Sequence, residues 1–271
     1  MRFNVHDIFE AQMILVLDIG NTNITMGLFQ DHRCARLWRL GSEARRTSDE
    51  YSVLISSLLR RDDVDPSRLQ AVVIGSVVPV LSDILDAALA AITGCAPYHV
   101  THKAKMTVKN CYGNPREVGI DRLANAVAGV AAIGAPLIVV DFGTAVTLDV
   151  ISRKREYLGG VIMPGIELSA EALARRTARL PQIATIPSST IIGSTTVDSI
   201  RSGILNGLVG AVDHLITGIW KELGYKTRTA ATGGQAPLFV KQSAHVRKAL
   251  EDLTLAGLYE IWKLNLKSRR R

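Results

Sequence analysis

The sequence predicts an α/β protein of two lobes, each a mixed β-sheet flanked by helices, with a cleft between them. Three observations carry this. The stretch ILVLDIGNTNITMGLF (14–29) is an apolar run that ends in Asp-x-Gly, crosses small polar residues and continues as a second alternating run. LIVVDFGTAVTLDVIS (137–152) repeats that design about half the chain later. Each half then passes from strands to helices, the order of a layered α/β domain. A chain of 271 residues, 47% hydrophobic and 21% charged, has ample length to bury a core in both halves.

The elements follow from local patterning. A strand is expected over about 13–19, a polar turn, a returning strand over about 24–29, and a continuation of the meander in CARLWRL (34–40). Thr47-x-x-Glu50 has capping-box spacing ahead of the apolar YSVLISSLL, so a helix is predicted over about 48–60. AVVIGS (71–76) is nearly continuous apolar sequence, as in a strand covered on both faces. A helix over 80–93 ends at Gly94, a C-cap, and Tyr98–Val100 forms a further short strand. The second half restarts with a helix over 121–133, the hairpin 137–151, a strand in YLGGVIMPG ending at Pro164-Gly165, and a helix over about 166–178. A long helix spans 196–223, with glycines at 203, 207 and 210 that would let another helix approach closely although propensity disfavours them. RTAATGG (228–234) reads as a strand running into a Gly-Gly turn, then a helix, and LTLAGLYEIWKLN (253–265) as the last helix.

Composition excludes several classes. The formal charge of +7 resides partly in the terminal KSRRR, only 5% of residues are aromatic, and no basic stripe is interleaved with aromatics, so nucleic acid is not the expected partner. Cys34, Cys95 and Cys111 are widely spaced and odd in number, which indicates neither a disulfide framework nor a zinc site but reduced thiols in a cytoplasmic protein. Residues 123–140 are uncharged and reach the length of a membrane span, yet Gly134, Pro136 and Asn125 interrupt them; a buried helix, turn and central strand are expected, and no membrane partner. The first twelve residues carry Asp7 and Glu10 and lack an apolar signal core, so they read as an N-terminal extension or a mis-assigned start before Met13. His6, His32, His99, His102, His214 and His245 have no metal-ligand spacing and are expected at the surface or in packing.

The chemistry concentrates in the turns. A plain hairpin would use a two-residue connection. Here Gly20 lets backbone approach a ligand, Asn21, Thr22 and Asn23 supply short polar groups, and successive N–H groups can cradle an anion. Asp18 would repel a bare phosphate but suits a hydrated Mg²⁺ lying between them, since Mg²⁺ takes one or two carboxylates plus water and phosphate oxygens. Asp141-Phe142-Gly143-Thr144 repeats the arrangement with a hydroxyl. Both aspartates could instead only accept turn N–H bonds. Ala231-Thr232-Gly233-Gly234 is a third Gly-rich turn, suited to an adenine or ribose on bare backbone. Neither a Walker-type nor a dinucleotide-binding glycine motif occurs. In YGNPREVGIDRLANAVAG (112–129), Asn114-Pro115 sets a turn, and Asp121-Arg122 open an otherwise apolar helix. Asp121 is there either a simple helix cap or a group that accepts a proton from a substrate hydroxyl, with Arg122 pairing a substrate carboxylate or phosphoryl charge.

In these blocks the chain resembles the type III pantothenate kinases, members of the acetate kinase, sugar kinase, heat-shock chaperone and actin superfamily. The matching blocks run in order from Met13: DIGNTN (18–23), GSVVP (75–79), YGNPREVGIDR (112–122), DFGTAVT (141–147), GGVIMPGI (159–166), Leu180-Pro181, GSTTVDSIRSGI (193–204) and ATGG (231–234). The resemblance implies the two-lobed actin-like (ribonuclease H-like) ATPase fold, divided as extension 1–12, N-terminal lobe 13–117 and C-terminal lobe 118–271. It implies ATP- and Mg²⁺-dependent phosphorylation of pantothenate at its primary hydroxyl, the first step of coenzyme A synthesis. By family pattern Asp18, Ile19, Gly20, Asn21, Thr22, Asn23, Ile24 and Thr25, with Thr144, contact ATP, Asp18 reaching Mg²⁺ through water. Asp121 is the general base. Tyr112, Gly119, Ile120, Asp121, Arg122 and Thr196 form the pantothenate site, and Asp141 binds a monovalent cation, K⁺ or NH₄⁺. The family is dimeric, which would account for the uncharged helix 123–133 and the glycine-spaced helix 196–223. The departures are the extension and Ile120, where many relatives have Ala. Rival readings are another small-molecule kinase or phosphatase of the superfamily, an accessory factor for gene expression, and a basic nucleic-acid binder.

Overall fold

The computed structural model describes residues 12–176 and 190–269; most of the expected extension, His6, Leu180-Pro181, the last residues of the helix expected over 166–178 and the end of the basic tail lie outside them. The chain divides into two compact units. The first holds the described residues through Lys105 with Gly119–Asp121 and Thr254 onward; the second holds Met106–Val118 and Arg122–Leu253.

In the first unit β1 (Met13–Ile19), β2 (Asn23–Gln30), β3 (Arg33–Gly41), β4 (Ala71–Ser76) and the short β5 (Tyr98–His99) form one sheet in the order β3-β2-β1-β4-β5. β1 pairs antiparallel with β2 and parallel with β4. Strand alternation gives β1 two buried faces. Leu15, Leu17 and Ile19 join a core with α1 (Ser48–Arg61) and α2 (Pro79–Thr93), through Tyr51, Ile55, Leu59, Leu81 and Leu85. That i, i+4, i+8 spacing puts one stripe of α1 inside. The helix starts as expected: the Thr47 side chain accepts from the Glu50 N–H, and Glu50 accepts from the Thr47 N–H at 2.7 Å. Loss of such a cap costs about 1 kcal/mol. α2 ends at Gly94, whose φ of 68° is the left-handed conformation glycine adopts without steric cost.

On the other side of this sheet, side chains added at Gly27 or Gly75 would run into Leu255 and Leu258 of the C-terminal helix α7 (Leu253–Arg269). These glycines let that helix lie close to the sheet. Gly75 is directly beside Asp18 in the register, so the Asp18 side chain shares the face that α7 covers.

The second unit repeats this plan. β7 (Leu137–Phe142), β8 (Ala145–Ile151), β9 (Glu156–Pro164), β10 (Arg228–Thr232) and the short β6 (Lys109–Asn110), which the sequence did not signal, form a sheet in the order β10-β7-β8-β9-β6. β7 pairs antiparallel with β8 and parallel with β10, as β1 does with β2 and β4. Ile138, Val140 and Phe142 face a core with α5 (Thr196–Leu223) and α6 (Ala236–Gln242), including Leu205, Val212, Ile216 and Phe239, and with α4 (Ile166–Arg176) beside α5. α5 is long and apolar enough by composition to cross a membrane. Its buried stripe, however, is engaged with the sheet. On the opposite face α3 (Ile120–Ile133) lies against β7, with Gly129 allowing contact with Leu137 and Val139.

Two features of these helices bear on the expected second subunit. The uncharged stretch of α3 is explained within the chain, because residues 122–130 are all buried. No second subunit is needed to account for it. Conversely, a side chain added at Gly203, Gly207 or Gly210 of α5 would meet nothing within 4 Å among the described residues, so no described helix uses the approach those glycines allow.

Candidate active site

Asp18 stands at the carboxyl end of β1, with Thr25 of β2 and Gly75 of β4 as its register neighbours. The turn beyond it is held shut on itself: the Gly20 N–H donates to the Asn23 carbonyl at 3.0 Å. Ser42 closes it from outside, its hydroxyl donating to the Gly20 carbonyl at 2.6 Å and its N–H to the Thr22 carbonyl at 2.9 Å. Sequence reading missed Ser42, which follows β3 with no motif to mark it. Ile19 and Ile24 are core residues flanking the turn, whereas Asn21, Thr22 and Asn23 are exposed and Thr25 is half-buried. The arrangement leaves short polar groups outward on a rigid, apolar footing. That is what a phosphate-contacting turn requires.

The second turn has the same register: Asp141 lies between Thr147 of β8 and Thr232 of β10. Its surroundings are tighter. The buried Asn125 of α3 donates its side-chain N–H to Asp141 Oδ2 at 2.9 Å. Gly233, at φ +90°, lies so close that a Cβ there would be 2.6 Å from Asp141 Oδ1 and 2.5 Å from the Phe142 carbonyl. Gly165 donates its N–H to the Thr144 carbonyl at 2.9 Å, leaving the Thr144 side chain exposed. The Gly233-Gly234 turn therefore props the second hairpin directly. Among the described residues no three or more His, Cys, Asp or Glu gather as a metal cage, so an ion at Asp18 or Asp141 would not be enclosed by side chains of these types. Single carboxylates suit a hydrated ion that brings its other ligands with it.

Asp121 lies in the first turn of α3 and is half-buried. Gly119 makes room for it, since a Cβ at 119 would collide with Asp121 Oδ1. Arg122, one residue on, is 9% exposed, so it is no surface arginine. Its Nε donates to Asp149 Oδ1 at 2.7 Å, and its Nη2 lies 2.7 Å from the same oxygen. Tyr157 donates its hydroxyl to that oxygen too, at 2.8 Å, and Thr147 reaches Oδ2 at 3.3 Å. Asp149 is fully buried. Burial pushes its carboxyl up to about 7, against the opposing pull of Arg122 and of the Tyr157 hydroxyl. Burial and the adjacent Asp149 push the Tyr157 phenol upward, which keeps it a donor. Tyr112 lies over the backbone of β9, its ring carbons 3.1–3.2 Å from where a Gly159 Cβ would stand, and tilts toward Tyr157 at 6.4 Å between centroids. Asp149 and Tyr157 were not picked out from sequence. A lone carboxylate inside the apolar strand AVTLDVI was the signal available.

The structure thus gathers Tyr112 and Arg122 around Asp149 and Tyr157; Ile120, which opens α3, is buried. Thr196 is elsewhere in the described contacts. It is the exposed first residue of α5, whose N-cap is Thr195, and it lines a groove of about 760 Å³ with Met163, Pro164, Gly203 and Gly207. Tyr112, Asp121 and Arg122 do not line that groove. Three of the histidines have side-chain partners outside the predicted site: His32 bonds Tyr259 at 2.8 Å, His99 bonds Asp86 at 2.9 Å, and His245 bonds Thr217 at 3.0 Å. All three cysteines are free thiols.

Two β-sheets that share a four-stranded plan (β3-β2-β1-β4 and β9-β8-β7-β10) and differ in the edge to which the short fifth strand is added, each with an Asp-x-Gly hairpin at its centre, define the actin-like ATPase fold. Solved structures agree: a Campylobacter jejuni protein assigned to a Baf family of transcriptional activators (TM-score 0.60, 21% identity, 93% of this chain and 99% of that one). A second is component A of (R)-2-hydroxyglutaryl-CoA dehydratase from Acidaminococcus fermentans (TM-score 0.52, 13% identity, 94% and 100%). Within that class the sequence is more specific. A sequence model of the type III pantothenate kinases matches residues 14–218. Proteins named type III pantothenate kinase from Geobacter sulfurreducens (42% identical, 93% of this chain and 99% of theirs) and Finegoldia magna (40%, 93% and 98%) align along nearly their whole length. The chain belongs to the type III pantothenate kinase family.

Proposed function

We propose that this chain transfers the γ-phosphoryl group of ATP to the primary hydroxyl of pantothenate, the first step of coenzyme A synthesis. The observation that carries the reading is the intact Tyr112–Arg122 block in a chain of this family, with Asp121 on the first turn of α3 next to the anchored Arg122. The likeness to the Baf protein, at 21% identity, speaks for fold alone and not for a role in transcription.

The roles follow from chemistry. Phosphoryl transfer asks a protein chiefly to position reactants and to neutralise charge. The N–H groups and short side chains from Ile19 to Thr25, and Thr144, would contact ATP phosphates; Asp18 would hold Mg²⁺ through water, and that ion would supply charge to screen the phosphates. Asp121 accepts the hydroxyl proton as the oxygen attacks. Tyr112, Gly119, Ile120 and Arg122 shape the pantothenate site, and Arg122 pairs the substrate carboxylate. Asp141, which accepts a hydrogen bond from Asn125, would hold a monovalent cation, K⁺ or NH₄⁺.

An ADP-release assay with pantothenate, run with and without potassium, tests the reading. Asp121→Asn should keep the fold and depress kcat by about 10²–10⁴, the range of general-base losses. An unchanged kcat would assign Asp121 to helix capping.

The protein works as a homodimer in this reading, with Thr196 completing the pantothenate site near the subunit interface. The support is the glycine row of α5, which no described residue covers, together with Ile162, Ile191 and Ile192, which are 63%, 73% and 87% exposed. Gly207→Leu should shift sedimentation from dimer toward monomer; a wild type that sediments as a monomer sinks this part.

A further inference from the structure

We propose that Asp149 and Tyr157 are positioning residues that hold the Arg122 guanidinium in one orientation for the carboxylate of pantothenate. This deepens the function proposed above and rests on it.

The geometry makes one oxygen the hub. Asp149 Oδ1 meets Arg122 Nε and Nη2, both at 2.7 Å, and the Tyr157 hydroxyl at 2.8 Å. Thr147 occupies the other carboxylate oxygen at 3.3 Å. Asp149 thus engages one edge of a planar fork that has five N–H donors. The guanidinium plane is fixed by the two contacts on that edge, and Tyr157 in turn fixes the carboxylate. The Arg122 carbon lies 5.8 Å from the centre of the Tyr157 ring, so the same tyrosine borders the cation as well.

Stability alone is a poor reason for this pair. Desolvating a carboxylate and a guanidinium costs about as much as their attraction returns, and apolar side chains of similar volume often serve equally well. Burial indeed raises the Asp149 carboxyl, showing that the site taxes its charge. What a buried ion pair does supply is orientation. The strand opposite is shaped to the same end. Gly160 pairs with Asp149 in the register, and a Cβ there would be 3.2 Å from Arg122 Nη2 and would overlap the Leu148 carbonyl. The preceding Gly159, at φ +124°, seats the Tyr112 ring. Two consecutive glycines of β9 therefore clear space for two residues of the proposed pantothenate site. A site whose donors are oriented before the ligand arrives spends less binding energy on ordering them.

The experiment compares steady-state kinetics of the full-length wild type, Asp149→Asn and Tyr157→Phe, on pantothenate and on pantothenyl alcohol, which lacks the carboxylate. Thermal melts are run in parallel. Both variants should raise KM for pantothenate about tenfold, the scale of one lost charge-assisted hydrogen bond. KM for ATP should stay put, and the preference for the acid over the alcohol should shrink. Tyr157→Phe keeps the ring and carries the test should Asp149→Asn fail to fold. Variants that retain wild-type KM and the acid preference overturn the proposal, as do variants whose KM for ATP rises in step with that for pantothenate. A wild type that phosphorylates acid and alcohol equally well overturns it while leaving the kinase reading intact. A wild type inactive on both sinks that reading, and this proposal with it.

Discussion

The two Asp-x-Gly hairpins share register and topology, but their carboxylates live in different surroundings. Asp18 is beside Thr25 and Gly75, on the sheet face where α7 brings Leu255 and Leu258 against glycines. Asp141 is beside Thr147 and Thr232, on the face where α3 brings the buried amide of Asn125 to its Oδ2. The first turn is closed by its own backbone and by Ser42, whereas the second is wedged between the backbones of Gly165 and Gly233. One duplicated scaffold has thus produced a turn with its polar side chains outward and a turn with its carboxylate clamped. The difference suits a hydrated divalent ion at the first and a directly held monovalent cation at the second, as proposed.

Glycine replacements probe that contrast with the largest effect. Gly233→Ala sets a side chain at positive φ within 2.6 Å of Asp141 and should cost about 3 kcal/mol or more, the sum of backbone strain and overpacking. Gly20→Ala meets only the Asn23 carbonyl, at 3.2 Å, and should cost under about 1 kcal/mol. Denaturant unfolding of both checks this, and equal losses would erase the distinction between a wedged and an open turn. A smaller effect is expected from Asn125→Ala, which strips Asp141 of a buried hydrogen bond for about 1–3 kcal/mol. It should also raise the potassium concentration needed for half-maximal activity, with the magnesium requirement unchanged. A potassium requirement that does not move would remove Asn125 from the cation site.

Much of this was legible beforehand because the signals are local. Thr47 and Glu50 do form the capping box, Gly94 is the left-handed C-cap, and Met13 opens β1. Asp18, Asp121 and Asp141 drew notice because a carboxylate beside glycine, or opening an apolar helix, is unusual in short sequence. Asp149 escaped because its partners Arg122 and Tyr157 come from other elements; alone it reads as one polar residue in a strand. The uncharged run 123–140 was legible as a buried helix, turn and strand, and residues 122–130 are buried.

By itself the sequence determined the order and type of the elements apart from the short β6, the duplicated hairpins and the family, since strand alternation, helix caps and Asp-x-Gly turns are written within a few residues of one another. Only the tertiary structure decided that Arg122 is buried on Asp149, that Asn125 steadies Asp141, and that Gly203, Gly207 and Gly210 of α5 are not covered by any described residue. Those outcomes depend on which faces meet across dozens of residues. Burial and hydrogen-bond partnership belong to the packed pair, and no single segment encodes them.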